Sequence, residues 1–252
     1  MRASLVLTYI GTVVVTLVLL LAWALVVHLQ WISPVFLPSP MAAFAALADG
    51  WRNGELIRLT VGTVERMFFG WILASVLGLV IGAAIGVSSS VRAWLQPSLE
   101  FIRPLPASAL VPLAIALFGL SPAMVLFVIA FGAIWPVLLA TIHGFASVEP
   151  RLEEVARVLG LSRSAFIIKI GLPNAMIDAF AGMRLSLTVS LILAVVGEML
   201  ASQEGLGTAI LQAARSFRAA DLFAGILLLG VIGFLSNFLL YLLERRLLRW
   251  QC

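Results

Sequence analysis

PLPASALVPLAIALFGLSPAMVLFVIAFGAIWPVLLATIHGFASV runs from Pro104 to Val148 without a single Asp, Glu, Lys or Arg. A helix that crosses a bilayer needs about 20 apolar residues and satisfies its backbone hydrogen bonds internally, so this stretch holds two crossings. Gly119-Leu120-Ser121-Pro122 supplies the break, with Pro122 placed where a helix begins. Charge is also missing from Ala3 to Ala48, from Met67 to Val91 and from Leu222 to Leu243. The intervals predict crossings near 5–27, 65–88, 98–118, 122–145 and 221–243. A further crossing, at about 178–200, must include Arg184, expected to snorkel toward an interface, and Glu198.

Composition points the same way. The 252 residues are 62% hydrophobic and 11% charged, with mean hydropathy +1.13, whereas a soluble domain carries about 25% charged residues. The expectation is an all-α membrane protein with about six transmembrane helices in a single domain, residues 1–252. The net charge of +4 comes from arginines scattered between apolar runs, without the basic arm or patch that nucleic-acid binding needs. Cys252 is the only cysteine, and His28 and His143 lie far apart without carboxylates at ligand spacing, so no metal site is expected. Ala22-Trp23-Ala24 imitates a signal-peptide cleavage site, but the apolar run around it is too long; a retained first helix is expected, with cleavage as the alternative.

Six crossings put both termini on one side. With the N-terminus inside, Arg2, Arg92, Arg151, Arg157, Arg163, Lys169, Arg184, Arg245, Arg246 and Arg249 are cytoplasmic, while Arg52, Arg58, Arg215 and Arg218 lie outside. The tryptophans, Trp250 among them, fall mostly near proposed helix ends, as interfacial aromatics do. Ser39-Pro40 reads as an N-cap and first helical residue for a short external helix over Met41–Ala48. Gly78, Gly82 and Gly86 share one helix face, which suits close helix packing.

The longest charged stretch outside the crossings is EPRLEEVARVLGLSRSAFIIKIGLP, Glu149 to Pro173. It reads as helix, turn, helix. Pro150 starts the first helix, Glu153 pairs with Arg157 at i+4, and Gly160 takes the left-handed conformation that ends it. Ser162 caps a second helix expected to stop before Pro173. A short helix with exposed Leu and Val beside charges, held between two crossings, suits docking in a groove of another protein.

Glu154-Val155-Ala156, followed by Gly160, Ile170 and Leu172-Pro173, resembles the "EAA" cytoplasmic loop of binding-protein-dependent ABC importer permeases, with Val155 in place of the first Ala. Leu37-Pro38-Ser39-Pro40, Arg103-Pro104-Leu105-Pro106, Pro112-Leu113-Ala114, Phe118-Gly119-Leu120, Gly197-Glu198-Met199, Gly205-Leu206-Gly207 and Glu244 to Trp250 are similar to the nitrate/sulfonate/taurine branch. The resemblance implies a type I importer fold in a bacterial inner membrane. It implies a coupling loop over about 147–174 in which Glu153, Glu154, Val155, Ala156, Arg157, Leu159, Gly160, Leu172 and Pro173 meet a partner. Implied partners are two cytoplasmic ATPase subunits, a second permease that is a second copy by default, and an extracytoplasmic solute-binding protein. ATP and Mg would be bound by the partner ATPase: the only lysine, Lys169, has no glycine loop before it, so this chain has no P-loop and no cofactor of its own.

An ionisable residue in a span is a functional candidate because exposing it to lipid is costly. Glu198 either pairs with an Arg, sits at the outer interface beside Glu204, or positions a helix or gate. Arg103, near Glu100 and followed by Pro104-Leu105-Pro106, is expected to bend or restart the third helix near the pathway, with Pro106 in the bend. The charge-free third and fourth spans are expected to line a smooth channel. The solute implied is a small anion, with sulfonate, taurine or nitrate ahead of bicarbonate or a thiamine-type pyrimidine. An ion-coupled secondary transporter is the reading from a different class, and no convincing internal repeat supports it. An intramembrane enzyme would need a nucleophile and base, or a ligand set, that the sequence does not offer.

Overall fold

The computed structural model describes residues 2–248, with side chains from Gly11 onward. Arg249, Trp250 and Cys252, and the side chain of Arg2, lie outside the described residues. In chain order the helices are α1 (Arg2–His28), α2 (Pro40–Arg52), α3 (Glu55–Gly86), α4 (Ser89–Ile102), α5 (Val111–Phe118), α6 (Pro122–Ala146), α7 (Pro150–Val158), α8 (Arg163–Phe166), α9 (Leu172–Ala201), α10 (Leu206–Arg215) and α11 (Ala219–Leu247). Five segments are long and apolar enough to cross a membrane, namely α1, α3, α6, α9 with its lead-in from Arg163, and α11. The pair α4 and Ala107–Phe118, bent by 78°, makes a sixth if it crosses as one.

The centre is a sandwich of α3, α6 and α9. It forms because glycine lets backbones approach where lipid provides no hydrophobic drive between helices. A Cβ at Gly78 would stand 2.9 Å from the Cβ of Val137, and one at Gly82 would stand 2.8 Å from Thr141 Cβ and 2.9 Å from the Leu138 carbonyl. The expected close packing of the glycine face is therefore against α6. On the other side, a Cβ at Gly144 would meet the Ala175 backbone, and Gly182 approaches the Pro136 carbonyl. Ser186 Oγ donates to the Ala133 carbonyl at 2.7 Å, and the Trp71 indole to the Met183 carbonyl at 3.0 Å. These bonds link α9 to both neighbours. The first helix, α1, is peripheral, tied by the Trp23 indole donating to the Pro38 carbonyl (3.0 Å) and by Trp23 against Phe223.

Several expectations are corrected. The helix of the second crossing, α3, begins at Glu55 rather than at 65: Arg58 pairs with Glu204 at its exposed end, and Arg66 finds the buried Glu198 as its partner inside the fold. The third is not one helix over 98–118. The chain enters at Ser89 and turns sharply at Arg103–Pro106, where two prolines remove backbone donors, so the bend expected at Arg103 is present. That entry point gives this segment Arg92, Gln96 and Glu100, so it is not charge-free. Arg184 pairs with Glu244 of α11 and stacks over Tyr241 instead of snorkelling alone. The helix after Ser162 does not stop before Pro173. It runs through a π-helical turn, Ile167–Gly171, straight into α9, with the Leu172 amide bonded to the Ile167 carbonyl. The wider turn accommodates a proline that would otherwise clash with the preceding turn. Ser39 caps α2 as expected, accepting from the Ala42 amide, and the helix extends to Arg52.

Candidate functional site

Three places in the bundle carry polar chemistry, beginning with the segment after Ala146. Glu149 precedes α7 and Pro150 opens it. Its end is closed by two reversed hydrogen bonds, the Leu161 amide to the Ala156 carbonyl (2.9 Å) and the Gly160 amide to the Arg157 carbonyl (3.1 Å), with Gly160 at φ +65°. This is a Schellman closure, which favours glycine because a Cβ is costly in the left-handed region. Ser162 then accepts from the Ala165 amide and starts α8. Arg157 Nε donates to the Glu153 backbone carbonyl at 3.4 Å, so the expected i+4 link reaches backbone and not the carboxylate.

Only Ala156 of α7 is buried. Leu152, Val155, Val158 and Leu159 are exposed, Val158 at 87% and Leu159 at 69%, with Glu154 beside them. Leu152, Val155 and Val158 on the helix, with Leu159 at its C-cap, thus place four exposed apolar side chains on a segment closed at its C-terminal end. Leu172 is exposed and Pro173 half-buried at the start of α9, where they join this segment to the bundle. Glu153 and Arg157 turn toward a cavity of about 450 Å³ shared with Arg92 and Arg163.

The second place is Glu198, which has no solvent exposure. Arg66 Nη1 donates to Oε1 at 2.7 Å and the Gly207 amide to Oε2 at 2.9 Å. Thr63 Oγ1 lies 3.0 Å from Oε2 and 3.1 Å from the Leu59 carbonyl, sharing its single proton between them, and accepts from the Leu206 amide at 2.9 Å. Thr208 Oγ1 completes the knot by donating to the Glu198 or Gln203 carbonyl. One carboxylate therefore ties α3, the end of α9 and the start of α10. Of the readings left open, pairing with an Arg is the one observed. Sequence reasoning missed which Arg: Thr63 and Arg66, three apart on one face of an apolar helix, were the available signal.

The third place surrounds the bend. Arg92, Gln96, Glu100 and Arg103 recur at four, four and three residues and so occupy one face of α4. That face, with Ile142 and His143 of α6, lines a cleft of about 250 Å³. Pro106 caps the turn of 3-10 helix beyond the bend and does not line the cleft. The structure therefore brings Arg103 together with Arg92 but keeps it apart from Glu198. Among the described residues no three His, Cys, Asp or Glu side chains are grouped to hold a metal ion.

A family model described as "Binding-protein-dependent transport system inner membrane component" matches residues 74–249. The chain is 34% identical to the aliphatic sulfonates transport permease protein SsuC of Bacillus subtilis (strain 168), over 93% of this chain and 85% of that one. It is 33% identical to the taurine transport system permease protein TauC of Escherichia coli (strain K12), over 96% and 89%. Its fold is similar to a crystal structure of an amino acid ABC transporter with histidines, with TM-score 0.60 and 20% identity over 81% of this chain and 97% of that one. A bundle with a broken span, a projecting helix between its fourth and fifth crossings, and a family match over more than half its length make this chain a member of the binding-protein-dependent transport inner-membrane components, the permease subunits of ABC importers.

Proposed function

We propose that this chain imports a small organic anion, an aliphatic sulfonate or taurine, by alternating access powered from a separate ATPase. The observation that carries the coupling half of this reading is α7, a helix whose apolar face has no cover among the described residues. A groove on each of two ATP-binding subunits would receive Leu152, Val155, Val158 and Leu159. Glu153, Glu154, Ala156, Arg157 and the closure at Gly160 hold that face in shape. Closure of the ATPases on ATP and Mg would push on α7, and the continuous helix from α8 into α9 would carry the push into the bundle. Leu172 and Pro173 stand at that transmission point.

A second copy of the chain completes the pathway, and an extracytoplasmic binding protein delivers the solute. The α4–α5 elbow supports the pairing: α4 has no buried residue, with Trp94 84% and Phe101 80% exposed. The arginine asymmetry supports cytoplasmic termini in a bacterial inner membrane, with the whole chain as one permease domain. The solute class rests on the sulfonate and taurine relatives.

Co-purification with the neighbouring ATPase, followed by uptake of labelled taurine and ethanesulfonate in cells, tests both halves. Val155→Asp should cost at least tenfold in ATPase retention while the bundle remains folded. Retention unchanged in Val155→Asp and in Leu159→Asp would refute the docking role, and absence of uptake of either solute would refute the anion assignment.

A further inference from the structure

The cleft beside the bend is rich in hydrogen-bond donors. Arg92 Nη1 and Trp135 Nε1 are both shielded from solvent and have no hydrogen-bond partner among the described residues. Arg92 lines the cleft. Trp135 packs in the same apolar cluster, with Ile85, Ile142 and Leu99, that forms the cleft wall. Gln96 Nε2 is already committed to Glu100 Oε1 at 2.8 Å, which occupies the one lining carboxylate. His143 faces Asp178 at 4.0 Å. What remains is two guanidinium groups, Arg92 and Arg103, with a buried indole donor nearby, against the single carboxylate of Glu100, so the lining keeps an excess of positive charge.

A buried donor without a partner costs about 1–3 kcal/mol, and an arginine facing a low-dielectric wall costs more, unless an acceptor is supplied. Guanidinium groups match the fork geometry of oxyanions. A neutral ligand of the cleft's size could fill the space, but an oxyanion also balances the cation left over when two arginines face one carboxylate. The cleft of about 250 Å³ is several times the roughly 30 Å³ share of a water molecule, so it admits a small sulfonate with water around it.

We propose that the cleft between α4 and α6 is an oxyanion site, held by Arg92 and Arg103, that binds the sulfonate group of a solute in transit. The solute name rests on the function proposed above; the oxyanion chemistry does not. Arg92 also lines the cavity shared with Glu153 and Arg157, so an anion bound there sits beside the segment that carries α7.

The test uses the full chain in phosphatidylcholine nanodiscs and equilibrium binding of radiolabelled ethanesulfonate, with dimethyl sulfone as the neutral competitor. Wild type should bind saturably, and dimethyl sulfone should not compete. Arg92→Gln should weaken binding at least tenfold, and Arg103→Gln and Trp135→Phe about threefold each, all with unchanged gel-filtration profiles. Arg52→Gln, at an exposed arginine on α2, should bind as wild type does. No saturable binding, or equal binding by Arg92→Gln, overturns the site. A parallel arm in phosphatidylglycerol nanodiscs measures lipid retained after detergent washing. Retention by wild type, loss in Arg92→Gln and no ethanesulfonate binding would assign the oxyanion chemistry to a lipid headgroup and overturn the solute. Cellular uptake stands apart from this: failure of binding with uptake intact removes the cleft and leaves the function, and absence of uptake with binding intact does the reverse.

Discussion

Two arginines, Arg66 on α3 and Arg92 on α4, a helix with no buried residue, differ in how their guanidinium groups are partnered. Arg66 meets a carboxylate that has lost all contact with solvent and is itself held by Gly207 and Thr63. Arg92 has a shielded nitrogen with no acceptor and stands in a cleft. A polar group that is fully partnered has spent its interaction energy on the fold, whereas one left open keeps that energy for something that arrives. The contrast separates a structural knot from a binding position, a distinction sequence alone does not draw, since it places Arg92 in a cytoplasmic segment and leaves Arg66 without a partner.

Breaking the closed side should give the largest effect. Arg66→Met leaves the Glu198 carboxylate buried without its cation, and the loss of stability should be about 3–5 kcal/mol, read as thermal unfolding in detergent. Glu198→Gln should cost less, because an amide oxygen can still accept from the Gly207 amide while Arg66, partly exposed, reaches water. The double change Arg66→Met with Glu198→Leu should recover part of the single loss but not all, since the Gly207 and Leu206 amides keep their places in a buried turn. Equal losses in the three variants would show that the knot is not one coupled unit.

A smaller effect separates two glycines. Gly82 is pressed against Thr141 and the Leu138 carbonyl of α6, while a Cβ at Gly230 on α11 meets nothing within 4 Å. Gly82→Ala should destabilise by about 1–3 kcal/mol, as overpacking against backbone does. Gly230→Ala should be neutral or stabilise by up to about 1 kcal/mol through helix propensity. If both changes behaved alike, glycine in α3 would not be setting the distance to α6.

How much of this was legible follows from which interactions are local. Charge-free intervals mark the spans because lipid excludes charge residue by residue, and Ser39, Ser162 and Gly160 act on their own neighbours, so caps and ends read directly. The knot is different: Arg66 and Glu198 are 132 positions apart, and nothing local couples them. The π turn before Pro173 was missed for the opposite reason. A proline reads as a stop, and only a neighbouring turn that widens by one residue lets the helix continue. The bend at Arg103–Pro106 was visible in its prolines, but its entry at Ser89 was not. Arg92 and Gln96 fell in the stretch before the crossing expected at 98–118, apart from Glu100 and Arg103 within it, so the polar stripe of α4 was split and the cleft had no wall in the sequence reading.

The smallest expected effect sharpens the opening comparison most. Arg92→Met removes a guanidinium that has an unsatisfied shielded nitrogen and keeps a long apolar stem against Ile85 and Leu99. If Arg92 contributed to the fold as Arg66 does, its removal would cost several kcal/mol. Because no native partner is lost and an unfavourable desolvated donor disappears, stability should change by less than about 1 kcal/mol, and any change should be a gain. The same thermal unfolding series that ranks Arg66→Met reads this directly. A loss above about 2 kcal/mol would mean that Arg92 is bonded in the folded protein after all, and the distinction between closed and open arginines would fall with it.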